Sequence, residues 1–99
     1  MRVKDESIEL MLTDPMWTGL IKLINLLNYR GYETIITSGS EKDPIHKTNS
    51  KHFVGDAVDL RSRHIPTHAL KIIQHDIGTL LPNFTFLIES DHIHFQRNY

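Results

Sequence analysis

The chain has no cysteine among its 99 residues. This absence excludes disulfides, thiolate nucleophiles and zinc sites built from cysteine. A metal ion bound by this protein would therefore be held by imidazole and carboxylate groups. Histidine is the commonest side-chain metal ligand, and the sequence has seven, at positions 46, 52, 64, 68, 75, 92 and 94.

An excess of charge of one sign is also missing, as are long apolar runs. Eleven Lys and Arg residues oppose twelve Asp and Glu residues, so there is no basic stripe of the kind that binds phosphates and we expect no nucleic-acid partner. No run approaches the roughly 18 apolar residues of a membrane span, and we expect no membrane partner. The N-terminal stretch MRVKDESIELML is acidic and lacks a cleavage-site pattern, which predicts no signal peptide and a protein that is cytoplasmic as synthesised.

Two segments have the apolar spacing of helices. Residues 13–31 repeat apolar side chains at intervals of three and four, with Asp14 as the expected N-cap and Gly31 just past the end. Residues 65–82 return to the same spacing. A further short helix is predicted at 7–12.

The strands are predicted from β-branched and alternating segments. Residues 34–38 and 56–62 each predict one strand, and residues 84–96 predict one long strand or a broken pair. A chain of this length forms one domain, 1–99. The element order predicts an α+β fold in which a small, largely antiparallel sheet packs against two or three helices.

The stretch SKHFVGDAVDL, residues 50–60, contains two side chains that can bind a metal. It follows a loop at 39–51 that has no periodicity, and a loop of this length in a small domain is typical of a functional segment. His52 enters the predicted strand, and Asp59 shares a face with the small Ala57, which leaves room for an ion. A catalytic zinc ion takes about three protein ligands and a water molecule. The third ligand is therefore expected from a distant strand.

The segment ESDHIHFQ, residues 89–96, offers that ligand. In an extended strand His92 and His94 project to one side, while Ile93 and Phe95 project to the other. An HxH pair on an aliphatic strand is a recurrent way to present imidazoles to a metal. Three further histidines, at 64, 68 and 75, have no carboxylate partner at a suitable spacing in the sequence, and we expect surface or boundary positions for them.

These residues resemble the motifs of the LAS-type metallopeptidases, which are zinc D-Ala-D-Ala carboxypeptidases and L-alanyl-D-glutamate endolysins. The family shares its fold with the Hedgehog signalling domain. Its first motif is similar to S-x-H-x-x-G-x-A-x-D, and its second is an HxH or a carboxylate-x-x-His-aromatic string; residues 91–95 of this chain contain both forms of the second motif. The TSG at 37–39 is similar to the strand end ahead of the family's active-site loop. The chain matches the first motif with Ser50, His52, Gly55, Ala57, Asp59 and Leu60.

The resemblance implies a zinc-dependent peptidase, of the D,D-carboxypeptidase or peptidoglycan endopeptidase type, with one zinc ion per chain. Its substrate would be a peptidoglycan stem peptide, and its small size resembles a phage or prophage product. The metal ligands would be His52, Asp59 and His94. His92 would stabilise charge that develops on the substrate, and Ser38 and His46 would line the substrate site. The alternative is a non-catalytic zinc-binding module of the same fold, as in Hedgehog.

The resemblance offers two candidates for the general base. Asp91 stands three residues before His94, where the family's peptidases usually have their Glu, while Glu89 resembles the Glu that precedes HIH in Hedgehog. Strand alternation would turn both away from the histidine face, so either one needs a bulge or a bend between 89 and 92. We favour Asp91 on motif register, with Glu89 as a partner that orients a histidine.

The chain departs from the family after TSG. Members that grip a substrate carboxylate often have an arginine there, whereas this sequence reads Ser40, Glu41 and Lys42. A cation for that role would have to come from Lys42, Lys47 or Arg61.

Overall fold

The computed structural model describes residues 1–41, 50–52 and 54–98. Within these ranges two helices and five strands follow one another along the chain. They are β1 (Arg2–Val3), α1 (Asp14–Tyr29), β2 (Ile35–Ser38), β3 (Ala57–Arg61), α2 (Thr67–Leu80), β4 (Phe84–Ile88) and β5 (His92–Arg97). The strands form one sheet in the order β1-β2-β3-β5-β4, in which only the β1–β2 pairing is parallel. The α+β class and the largely antiparallel sheet are therefore confirmed.

Helix α1 begins one residue earlier than the sequence suggested. Thr13 is the N-cap, because its backbone is extended and its side-chain oxygen accepts a hydrogen bond from the backbone N–H of Met16. Asp14, the expected cap, already lies in the first turn, where its negative charge interacts favourably with the helix dipole. Gly31 follows the end of the helix with a φ of 88°, a left-handed conformation that glycine adopts without strain.

The core lies between the two helices and one face of the sheet. The antiparallel register places the apolar residues of neighbouring strands opposite one another, so that their side chains share a face. The helices cover that face with the apolar side chains that recur at intervals of three and four. Leu80, which belongs to the same pattern at the end of α2, is instead 60% exposed. The buried residues of the cluster include Met16, Leu20, Leu23 and Leu27 of α1, Leu70, Ile73 and Ile77 of α2, and Ile36, Val58, Leu60, Phe86, Ile93 and Phe95 of the sheet.

Strands β4 and β5 form a hairpin, which decides between the two alternatives for residues 84–96. The chain turns at residues 89–91, and the N–H of Glu89 donates to the carbonyl of His92 at 2.9 Å. Because Leu87 is the register partner of His94 and Ile88 that of Ile93, Glu89 comes opposite His92. The turn thus brings Glu89 back beside the HxH pair.

The predicted helix at 7–12 is absent, and this segment is extended or turned instead. Its backbone groups bond to other segments rather than to one another. The carbonyl of Glu9 accepts from the N–H of Ser40 at 2.7 Å, and the N–H of Thr13 donates to the carbonyl of Gly55 at 3.0 Å. Partners elsewhere in the fold therefore replace the local hydrogen bonds of a helix.

Asp56 joins the start of α1 to the end of β5. Its Oδ1 accepts from the hydroxyl of Thr13 at 2.6 Å and from Nε of Arg97 at 3.1 Å, while Nη2 of Arg97 reaches its Oδ2 at 3.3 Å. Burial opposes ionisation, but hydrogen bonds from Arg97 and Thr13 hold the pKa of Asp56 below its usual range. The residue is only 7% exposed, so removing its charge would leave Arg97 without its partner in a partly buried site.

We predict that Asp56→Asn lowers the free energy of unfolding at pH 7 by about 2 kcal/mol, because it breaks one side of a buried charged pair. Since the folded-state pKa is depressed, this contribution is present above the unfolded-state value of about 3.9 and is lost as the pH falls through the folded-state pKa. The free energies of unfolding of wild type and variant, measured with urea, should therefore converge as the pH falls below about 4.

The matched control is Asp76→Asn, which breaks the more exposed pair between Asp76 and Arg30. We expect it to cost less than about 1 kcal/mol, as exposed ion pairs do. Equal losses in the two variants would contradict a special role for Asp56.

Candidate metal centre

The site lies on the face of the sheet opposite the helices. Asp59 of β3 and His94 of β5 are register partners, and their neighbours Leu60 and Ile93 point into the core. Since successive strand side chains alternate, Asp59 and His94 project together from the other face. Two residue pairs further along, Arg61 stands opposite His92 on that same face.

His52 reaches the site from the turn that precedes β3. Its ring is almost fully buried, and Nδ1 lies 3.0 Å from the carbonyl oxygen of Gly39. Because a carbonyl can only accept, Nδ1 donates a proton to it, and Nε2 is the nitrogen that faces the site. Nε2 lies 3.3 Å from Oδ1 of Asp59. The bond to Gly39 thus selects the tautomer that can bind a metal through Nε2.

His94 is held in a corresponding way through its other nitrogen. Nε2 lies 2.8 Å from Oε1 of Gln96, to which it donates, and Nδ1 lies 3.0 Å from Oδ1 of Asp59. The rings of His52 and His94 meet edge to face, with centroids 5.1 Å apart. Nδ1 is therefore the atom that His94 offers to the site.

The three predicted ligands converge. One ligand atom from each of His52, Asp59 and His94 lies within 4.8 Å of the other two. In a tetrahedral zinc site with bonds of about 2.0–2.1 Å, neighbouring ligand atoms are about 3.3 Å apart. The separations of 3.3 Å and 3.0 Å from Asp59 are close to this value. Two imidazoles and a carboxylate form a ligand set that suits zinc and leaves positions for water or substrate.

The electrostatics of the cluster favour a cation. Burial would raise the pKa of Asp59, but its close contacts with the rings of His52 and His94 bring it far below its usual range. The hydrogen bond to Asp59 raises the pKa of His94 in spite of burial. A proton on His94 would therefore balance the negative charge of Asp59 in the metal-free protein. A bound divalent ion would take the place of that proton.

His92 lies beside the three ligands rather than among them. Its Nδ1 donates to Oδ1 of Asp91 at 2.6 Å, and its Nε2 lies 3.9 Å from Oδ1 of Asp59. The carboxylate of Asp91 thus orients the ring so that Nε2 faces the cluster. The proposed role of His92 toward the substrate stays a prediction.

The two candidate bases occupy different positions. Alternation along one strand would have turned both away, but the hairpin places Glu89 opposite His92 on the face that carries the site. The negative charge of Glu89 is close enough to add to the raised pKa of His94. Asp91 lies in the turn with 84% of its side chain exposed, and its carboxylate is engaged by His92. The turn-forming residues Ser90 and Asp91 are a sequence signal that could have indicated this hairpin.

Ser38 borders the site, because it is the register partner of Asp59 on β2. Its hydroxyl donates to Oε2 of Glu41 at 2.8 Å. The predicted substrate residue His46 lies outside the described residues, as do Lys42 and Lys47. Arg61 remains as a half-buried cation, and it forms no ion pair with a carboxylate of the described residues.

Sequence reasoning missed the groups that hold the ligands. Gln96 binds Nε2 of His94, and the carbonyl of Gly39 binds Nδ1 of His52. Gln96 could have been found, because it lies two residues after His94 and so projects from the same face of the strand. The carbonyl of Gly39 gives no signal in the sequence.

Comparisons with protein-family models, curated proteins and solved structures find no match for this chain. The resemblance to LAS-type metallopeptidases therefore stays a prediction that rests on the sequence motifs. Among the described residues, no helix has both the length and the apolar character needed to cross a membrane.

We predict that one zinc ion binds per chain and stabilises the fold. At free zinc a hundred times its Kd, the gain is about 2.7 kcal/mol, a rise in Tm of roughly ten degrees for a domain of this size. His94→Ala should abolish most of that rise in Tm, because only two of the three ligands would remain to bind zinc. Elemental analysis and thermal unfolding with and without zinc measure both quantities.

The matched control is His75→Ala, which removes an exposed histidine from α2. It should keep the stoichiometry and the rise in Tm of the wild type. A wild-type protein that neither contains nor takes up a divalent transition metal would contradict the metal centre.

Proposed function

We propose that the protein is a zinc-dependent peptidase that hydrolyses peptide bonds in the stem peptides of bacterial peptidoglycan. The convergence of His52, Asp59 and His94 on one face of the sheet is the observation that carries the proposal. The motif resemblance supplies the substrate class. A protein made in the cytoplasm would reach the cell wall after lysis or by another route of release.

The residues of the site provide the surroundings that such a reaction needs. A zinc ion bound there would polarise the scissile carbonyl and lower the pKa of water. His52 and Asp59 are buried at the floor of the site, and His94 is fixed on both of its nitrogens. His92 approaches from the open side, with Nε2 directed inward to where the substrate carbonyl would bind.

Glu89 is our choice for the carboxylate that accepts and returns the proton. The hairpin register supports it, because Glu89 stands opposite His92 on the face of the site. Asp91, which motif register favours, is already bound to Nδ1 of His92 and would act by orienting that ring. The family's spacing and the geometry of this chain thus favour different carboxylates.

Arg61 is the described cation placed to receive a substrate carboxylate. It lies two residues beyond Asp59 on the same face, about 7 Å along the strand, within the reach of an extended arginine side chain. Its guanidinium is free of the ion pairs that engage Arg30 and Arg97. Ser38 and His46 remain proposed neighbours of the substrate.

We predict that the zinc-loaded protein releases amino acids or short peptides from purified muropeptides and acts poorly on ordinary all-L peptides. Mass spectrometry of the digests over a range of pH measures this. A protein that binds zinc with full stoichiometry but leaves muropeptides intact would be the non-catalytic zinc-binding module instead.

We predict that Glu89→Gln lowers kcat by about 10²–10⁴, the contribution of a general base, with zinc content retained. Asp91→Asn should lower it by only about 10–100-fold, because it acts through the orientation of His92. The reverse order of losses would transfer the role of base to Asp91. Full activity in both variants would eliminate a carboxylate base at either position.

A further inference from the structure

We infer that Glu41 is a positioning residue for the metal ligand His52, and that it acts through Gly39 together with the N-terminal segment 9–13. This inference rests on the metal centre of the proposed function. The motif resemblance has no part in it, because at this point the sequence departs from the family's pattern.

Glu41 is bound by three different residues. Its Oε1 accepts from the N–H of Gly39 at 2.8 Å and from the N–H of Glu9 at 3.1 Å, and its Oε2 accepts from the hydroxyl of Ser38 at 2.8 Å. Burial opposes its ionisation, yet the hydrogen bonds from Glu9, Ser38 and Gly39 hold the pKa of Glu41 below its usual range. A carboxylate with its lone pairs engaged in this way serves as a fixed anchor for the end of β2.

The peptide group between Gly39 and Ser40 links this anchor to the metal ligand. Its carbonyl accepts the proton of Nδ1 of His52 at 3.0 Å, and its N–H donates to the carbonyl of Glu9 at 2.7 Å. Glu41 fixes the preceding N–H of Gly39, so the orientation of the peptide is set from both sides. Hydrogen bonds that run in one direction through a peptide group also polarise one another.

The N-terminal segment 9–13 makes close backbone contacts at two glycines, Gly39 and Gly55. A Cβ on Gly39 would collide with the carbonyl oxygen of Glu9, and one on Gly55 would collide with the carbonyl oxygen of Met11. The N–H of Met11 donates to the hydroxyl of Ser40 at 2.8 Å, and Thr13 binds the carbonyl of Gly55. The segment therefore packs directly against both loops that flank His52.

The physical consequence is the orientation of one imidazole. With the carbonyl of Gly39 fixed, Nδ1 of His52 keeps its proton and Nε2 stays directed at Asp59. Without that constraint the ring could adopt the other tautomer, and zinc would have to restore the right one on binding. Partners of this kind typically change metal affinity by about 10–100-fold.

The experiment compares Glu41→Gln with the matched control Glu9→Gln. The first replaces one acceptor oxygen with an NH₂ group and removes the charge that binds three donors. The second changes a side chain that is exposed, while the backbone groups of Glu9 that contact Ser40 and Glu41 remain. Zinc Kd is measured by competition with a chelator, and the tautomer of His52 is read from ¹⁵N chemical shifts of the metal-free protein.

We expect Glu41→Gln to raise the zinc Kd by about 10–100-fold and to convert His52 from a single Nδ1–H form to a mixture of tautomers. Glu9→Gln should match the wild type in both measurements. An unchanged Kd and an unchanged tautomer in Glu41→Gln would overturn the inference while leaving the metal centre intact. If the wild type binds no zinc, the metal centre fails, and the tautomer of His52 alone then decides the role of Glu41.

Discussion

The register of β3 against β5 is the constraint on which the rest of this structure depends. Asp59 is paired with His94, and the apolar neighbours on both strands point into the core. A slip of one residue would bury Asp59 against the helices and expose Val58 to solvent, because side chains alternate with a period of two. The hydrophobic effect on one face of the sheet thus sets the geometry of the polar cluster on the other. Asp59 and His94 are held on strands, which is where a preorganised metal site is most precise.

A buried carboxylate between imidazoles needs a counter-charge. Asp59 is only 9% exposed, and its hydrogen bond with His94 raises the pKa of that imidazole, so a proton on His94 would provide the counter-charge in the metal-free protein. The same arrangement prepares the cluster for a divalent ion, because the atoms that bind the proton are those that would bind the metal. Hydrogen bonds to Gly39 and Gln96 hold the two ligand rings from behind. Stability without metal and affinity for metal therefore depend on the same contacts.

The N-terminal segment contributes to the site without supplying a ligand. A helix at 7–12 would have kept its backbone hydrogen bonds to itself, whereas the extended segment gives them to Gly55 and Ser40. Both contacts require a close approach of two backbones, which only a glycine without a Cβ allows at Gly39 and Gly55. In a small domain with one core, backbone pairing of this kind holds in place the loops that carry functional groups.

The α+β class, the apolar faces of both helices and the three residues that converge as potential ligands could all be predicted before the structure was known. The class and the apolar faces follow from short-range periodicity, and alternation predicts which strand side chains share a face. The choice of the three ligands is what the motif resemblance implies. The turn at 89–91, which moves Glu89 onto the face of the site, is evident only in the folded chain. The same is true of the non-helical segment 7–12 and of the carbonyl of Gly39 that orients His52. The reason is physical: these outcomes depend on backbone hydrogen bonds between distant segments, and a backbone carbonyl or N–H is the same in every sequence.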